Sequence, residues 1–202
     1  MAITTAAQLY DTVRKFLDRD DLTGQIPDFV VMCEARLNNT LRVSQMETTA
    51  TVTLTSNAGT LPTDFLQARR VRSNASPIRD LSYAEPSWIA EHYPSTATEL
   101  ADYYTIIGST ISTAPPSTAD ILLNYYRTIP PLASNASGNW LLTRAPNVYV
   151  YGTCLEAAPF LDDDSRIAVW GSLYDRSIEE LKGADVLGRF GRAVSRVRGV
   201  TP

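Results

Sequence analysis

Lysine is almost missing from this chain: of 18 basic residues only Lys15 and Lys182 are lysines, and the rest are arginines. Histidine is scarcer, with His92 as its single copy, and cysteine stops at Cys33 and Cys154. One histidine and two distant cysteines do not make a zinc site of the usual kind, which needs clustered donors. No stretch approaches the ~20 uninterrupted apolar residues of a membrane helix, so no spanning segment is expected. The opening Met1-Ala2-Ile3-Thr4-Thr5 has no basic region followed by an apolar run and does not read as a secretory signal. Both cysteines fall in helical-looking segments among apolar neighbours. That predicts buried thiols without a disulfide, as suits a reducing cytoplasm.

Devices for catalysis are scarce as well. A Ser-His-Asp or Cys-His arrangement would have to use His92, which lies between Glu91 and Tyr93 in a polar segment read as exposed. Neither Gly108-Ser109 nor Gly171-Ser172 fits the G-x-S-x-G elbow, and there is no Walker sequence and no glycine-rich turn between strand and helix. Asp162-Asp163-Asp164 lacks the glycine and spaced ligands of a calcium loop, and reads more simply as acidic residues at a helix start. No enzyme activity, metal or cofactor is expected. At 202 residues, 44% hydrophobic and 20% charged, the chain buries enough core to need no metal or disulfide staple.

What is present is distributed unevenly. Net charge is −4, yet no acidic residue follows Asp185, while Arg189, Arg192, Arg196 and Arg198 do. The final segment therefore carries +4 and the rest −8, a pattern of a basic docking arm on an acidic body or of a solvated end. The acidic balance argues against tight wrapping around nucleic acid. Arginine and the ten tyrosines are enriched at protein interfaces; a high-GC source genome explains the arginine equally well. Arg69-Arg70-Val71-Arg72 is the one basic cluster of the body, suited to a solvated strand, a subunit salt bridge or phosphate.

Periodicity divides the chain. Leu9, Val13, Phe16 and Leu17 mark a helix capped by Thr4 or Thr5, and Ile26, Phe29, Val30, Cys33, Leu37 and Leu41 mark a second beginning at Ile26-Pro27. Ala50, Val52 and Leu54 alternate with threonines in a strand, followed by a turn at Asn57-Ala58-Gly59. Leu66 to Arg72 is a poorer strand, and Ser87 to His92 a short helical piece. Tyr103 to Ile107 and Thr110 to Ala114 form a hairpin about Gly108-Ser109, with Ile121 to Arg127 a further strand. Helices return with Thr143 as cap, Pro146 in the first turn and Val148, Tyr151, Leu155 and Ala158 as the buried face. A last helix carries Trp170, Leu173, Tyr174, Ile178 and Leu181, and Gly188 and Gly191 release the chain. The expected fold is α+β: N- and C-terminal helix pairs form a helical body (1–45 and 139–187) around an inserted antiparallel β-rich lobe (46–138), followed by a basic arm (188–202).

An ordered set of short motifs runs through nearly the whole chain. It comprises Asp-Asp-Leu-Thr-x-x-Ile-Pro-x-Phe within residues 20–29, Glu34-Ala35-Arg36-Leu37-Asn38, and Leu61-Pro62-Thr63-Asp64-Phe65-Leu66 followed by Arg69-Arg70-Val71. Tyr103-Tyr104-Thr105-Ile106, Asn139-Trp140-Leu141-Leu142 and the Leu-Glu-Ala-Ala-Pro helix within 149–161 complete it. In this set the chain resembles the head-to-tail adaptors of tailed, chiefly short-tailed, bacteriophages. The resemblance implies a virion protein of the head–tail junction, made in the host cytoplasm. It implies a ring, typically of twelve subunits, that binds the portal and a downstream tail or nozzle protein and lets DNA pass through its channel without specific binding. It contributes no catalytic residues. Arg189, Arg192, Arg196 and Arg198 are the candidate portal-docking arm. The alternatives are a neck or tail-completion protein that touches only the tail, a virion-associated peptidoglycan hydrolase, and a small DNA-binding regulator, which the acidic charge disfavours.

Overall fold

In the computed structural model, residues 3–94, 99–161 and 165–190 are described. The chain folds as α+β in two compact units, one of Met1–Gln45 with Ile129–Pro202 and one of Met46–Thr128.

The first unit is helical. Helix α1 (Ala6–Leu17) begins on a capping box: the Thr5 hydroxyl accepts from the Gln8 amide while the Gln8 side chain accepts from the Thr5 amide. It ends at Asp18 in the left-handed conformation (φ 55°), and Arg166 donates to the terminal carbonyls of Phe16 and Leu17 at 3.1 and 3.2 Å. Helix α2 (Ile26–Thr40) has proline in its first turn and buries Ile26, Phe29, Val30, Cys33 and Leu37 as the periodicity predicts. Phe16 departs from its expected place and is 41% exposed.

The return to helix differs from expectation. Thr143 does not cap the helix that has Pro146 in its first turn, which is entered at Ala145 without a side-chain cap; a separate short helix, α4 (Trp140–Arg144), precedes it and starts on Asn139, whose side chain accepts from the Leu142 amide at 2.9 Å. Thr143 lies inside α4 and donates its hydroxyl to the Asn139 carbonyl. Helix α5 (Pro146–Glu156) follows, with Pro146 in its first turn, and packs against α1, α2 and α6 (Arg166–Phe190). A helix covered on several sides has no single apolar stripe. Val148, Tyr149, Val150, Gly152, Thr153 and Cys154 are accordingly all buried, whereas Tyr151, Leu155 and Ala158 are only partly so. In α6 the buried row is Trp170, Tyr174, Ser177, Leu181 and Asp185, with Leu173 and Ile178 at its margins. The helix continues through Gly188 to Phe190, so Gly188 does not end it; Gly191 and Asp162-Asp163-Asp164 lie outside the described residues.

Residues 129–138, read from sequence as part of the lobe, group with the helical unit. Two side chains of α2 hold them there: Asn38 accepts from the Ile129 amide and Glu34 from the Leu132 amide, both at 2.9 Å.

The second unit contains two four-stranded sheets. One has the order β1 (Glu47–Val52), β8 (Ile121–Arg127), β3 (Phe65–Ser73), β4 (Arg79–Asp80) and is antiparallel throughout. The other runs β2 (Ala58–Thr60), β7 (Thr110–Ala114), β6 (Tyr103–Ile107), β5 (Ser82–Tyr83). Its β5–β6 pair is parallel, unlike the other described strand pairs: the two strands are joined through α3 (Pro86–His92) rather than by a tight turn. The hairpin β6–β7 turns at Gly108-Ser109 as expected, with Ile107 paired to Thr110. Register shifts at Phe65/Gln67 and Ala68/Arg70 break the alternation of β3, which accounts for its weak pattern in sequence. The earlier turn falls at Ser56 and Asn57 (φ 50° and 73°), and Gly59 is in a strand. A Cβ at Gly59 would stand 2.5 Å from Val52 Cγ1, so glycine serves close packing there rather than the bend. The lobe's core comprises Val52, Leu54, Leu61, Val71, Leu81, Ile111, Ile121, Leu123 and Tyr125, among others.

Candidate interaction surfaces

Several motif residues singled out in the sequence meet in one buried network of the helical unit. Glu34, 5% exposed, accepts at Oε1 from the Leu132 amide (2.9 Å) and from the Tyr149 hydroxyl (3.0 Å). Asn139 donates to the Tyr149 oxygen and to the Pro130 carbonyl, each at 2.7 Å. Burial raises the Glu34 carboxyl above the usual glutamate range despite these donors, and burial together with the nearby Glu34 charge raises the Tyr149 phenol. Every member has a partner among its neighbours. The network fastens the chain returning from the lobe to α2. Arg36 and Glu156 add an ion pair between α2 and α5 at 2.8 Å.

In the lobe the Leu-Pro-Thr-Asp-Phe motif has a comparable structural task. The Asp64 carboxylate accepts from the Tyr125 hydroxyl at 2.8 Å, and its carbonyl accepts from the Thr128 amide. The Arg69–Arg72 cluster sits on β3, where Arg70 makes a two-bond pair with Asp80 (2.7 and 2.8 Å) and Arg69 pairs with Glu47. Arg69 and Arg70 are thus matched within the chain.

Of the four candidate arm residues, Arg189 is described and Arg192, Arg196 and Arg198 lie outside the described residues. Arg189 is in the last turn of α6 and donates from Nε to Asp185 Oδ2 at 2.9 Å. Asp185 is 6% exposed and also accepts from the Ser44 amide (3.0 Å) and hydroxyl. Burial pushes the Asp185 carboxyl up, but the Ser44 donors and the Arg189 charge outweigh it and hold it below the ordinary aspartate range. Arg189 is thereby fixed in the last turn of α6.

His92 belongs to an aromatic cluster. Its ring stacks on Trp88 (centroids 4.3 Å apart, planes 17°), and Nδ1 lies 3.0 Å from the Trp88 carbonyl oxygen. Tyr103 meets Trp88 edge-on at 5.0 Å, Tyr93 does so at 5.9 Å, and Tyr83 lies 5.8 Å from Tyr104. Tyr83, Ala84, Glu85, Trp88 and Tyr103 line a shallow cleft of about 290 Å³. Sequence reading missed this cleft because β5, α3 and β6 each contribute one or two residues; the tyrosine count was its only signal. Among the described residues no group of three histidine, cysteine or acidic side chains is placed to hold a metal ion, and no helix is long and apolar enough to cross a membrane.

Residues 4–198 match the family model described as SU10 adaptor protein. No curated protein matches the chain.

Proposed function

We propose, because the chain belongs to the SU10 adaptor protein family and so has a structural head–tail adaptor role in the phage virion, that its copies form a closed ring between portal and tail. The match over nearly the entire chain carries this reading. Twelve subunits is the stoichiometry expected of such adaptors, with DNA passing through the channel. A closed ring requires head-to-tail contacts whose rotation closes. A ring of twelve at −4 per chain would carry about −48, a field that discourages DNA from adhering to the lumen.

In this reading the basic arm meets an acidic portal surface. Arg189 is committed to Asp185 and roots the arm, leaving Arg192, Arg196 and Arg198 for the portal. The test is to mix the purified protein with its cognate portal and image the product. An added coaxial ring is the expected result, lost when residues 191–202 are removed. Binding to tail components without any ring on the portal would instead identify a neck or tail-completion protein.

A further inference from the structure

The aromatic cleft of the lobe has a chemistry opposite to that of the arm. Helix α3 buries none of its residues, Trp88 is only partly buried and Tyr83 is 57% exposed, so these rings are not spent on the core. Exposed aromatic surface that rims a cleft is characteristic of protein interfaces. Along the sequence that builds it, the charge has one sign. From Asp80 to Tyr126 the chain holds six carboxylates (Asp80, Glu85, Glu91, Glu99, Asp102 and Asp120) and no lysine or arginine. Asp80 and Asp102 are paired with Arg70 and Arg79. Glu85, in the wall of the cleft, has no ion-pair partner among the described residues.

We propose that this cleft receives an arginine-bearing segment of the tail component that follows the adaptor. A guanidinium entering it gains the faces of Trp88, Tyr83 and Tyr103 together with the Glu85 carboxylate. Its planar, weakly hydrated form stacks on rings better than an ammonium does. Nucleic acid is the wrong occupant, since its phosphates would meet uncompensated carboxylates. The portal is assigned to the arm, whose positive charge calls for a surface of the other sign. The inference rests on the adaptor reading and adds the tail-side contact to it.

Two measurements test it together. First, the full-length protein is titrated with the synthetic peptide acetyl-Gly-Arg-Gly-Arg-Gly-amide while the heat of binding is followed by calorimetry. Saturable binding is expected, abolished by Trp88→Ala and weakened about tenfold by Glu85→Gln or by lysine in place of arginine in the peptide. Second, phage lacking their own adaptor gene are complemented with each variant. Particles made with Trp88→Ala or Glu85→Gln should carry the adaptor on the portal yet lack tails, with infectious titre down at least about tenfold. Glu85 is exposed and contributes nothing to the core, so Glu85→Gln remains informative if Trp88→Ala folds poorly. Tails attached at wild-type frequency in both variants, or a wild-type protein that does not distinguish the arginine peptide from the lysine one, overturns the inference. Neither result touches the adaptor reading, which fails separately if the wild-type protein adds no ring to the portal.

Discussion

Tyr149 donates its hydroxyl to Glu34, 3.0 Å away and 115 residues distant in sequence, and the same carboxylate oxygen accepts the Leu132 amide. One acceptor thus ties α5 and the turn at Leu132 to α2. This motif glutamate is a buried fastening of the helical unit.

Removing that acceptor should be costly. Glu34→Ala leaves the Leu132 N–H and the Tyr149 O–H without a partner in a buried site, a loss of roughly 1–3 kcal/mol. Glu34→Gln keeps an oxygen in place and eliminates the burial of charge. Because burial raises the Glu34 carboxyl, the native state holds its proton to higher pH than the unfolded chain does. Stability from this group therefore falls as pH rises from the ordinary glutamate value through the folded one. Urea unfolding should show Glu34→Gln at least as stable as wild type at pH 7, the advantage shrinking as pH falls from the raised folded value toward the ordinary glutamate value of about 4.3.

Glu34 also shows how far the sequence could be read. It stands four residues after Val30 and three before Leu37, squarely on the α2 stripe, so its burial was legible from spacing although its chemistry argued for the surface. The same holds for Ser177 and Asp185, which lie on the α6 row between Tyr174 and Leu181 and beyond it. By contrast α5 gave a misleading face, since a helix packed against three others buries residues at every angle. The hairpin at Gly108-Ser109 depends on local turn chemistry and was readable in full. The cleft around Trp88 was not, because it exists only when β5, α3 and β6 are brought side by side.

Gly152 marks the closest approach of α5 to its neighbours. A Cβ there would lie 2.5 Å from Cys33 Sγ and 3.0 Å from Tyr174 Cε2. Gly152→Ala should destabilise the protein by about 1–3 kcal/mol through overpacking, despite alanine's better helix propensity. Adding Cys33→Ala removes the nearer clash but not the contact with Tyr174. A double-mutant cycle by thermal or urea unfolding should therefore show partial rescue, with a coupling of about 0.5 kcal/mol or more.

Cys33 and Cys154 are fully buried, and burial pushes both thiols up to about 12. Thiolate is the reactive form, so at pH 8 only on the order of one thiol in ten thousand is ionised. The native protein should not react with Ellman's reagent over minutes, and two thiols per chain should appear once it is unfolded in guanidinium. Prompt labelling of either cysteine in the native state would show that α2 and α5 separate far more readily than their packing indicates.

Asp185 supplies the last test, because it ties the last turn of α6 to the Ser44 segment. It accepts from Ser44 and pairs with Arg189, and its carboxyl sits below the ordinary aspartate range. A depressed acid stabilises the fold above its unfolded value, and that contribution is lost as pH falls through the lower, folded value. Asp185→Asn keeps the shape but weakens the charge-assisted bonds, so it should cost about 1–2 kcal/mol at pH 7. The difference from wild type should close as the pH is lowered beneath the ordinary aspartate range. If this carboxylate roots the arm, Asp185→Asn should also weaken binding to the portal, by less than removal of residues 191–202 does. A variant that loses stability but binds the portal with undiminished affinity would confine Asp185 to holding α6 against the Ser44 segment.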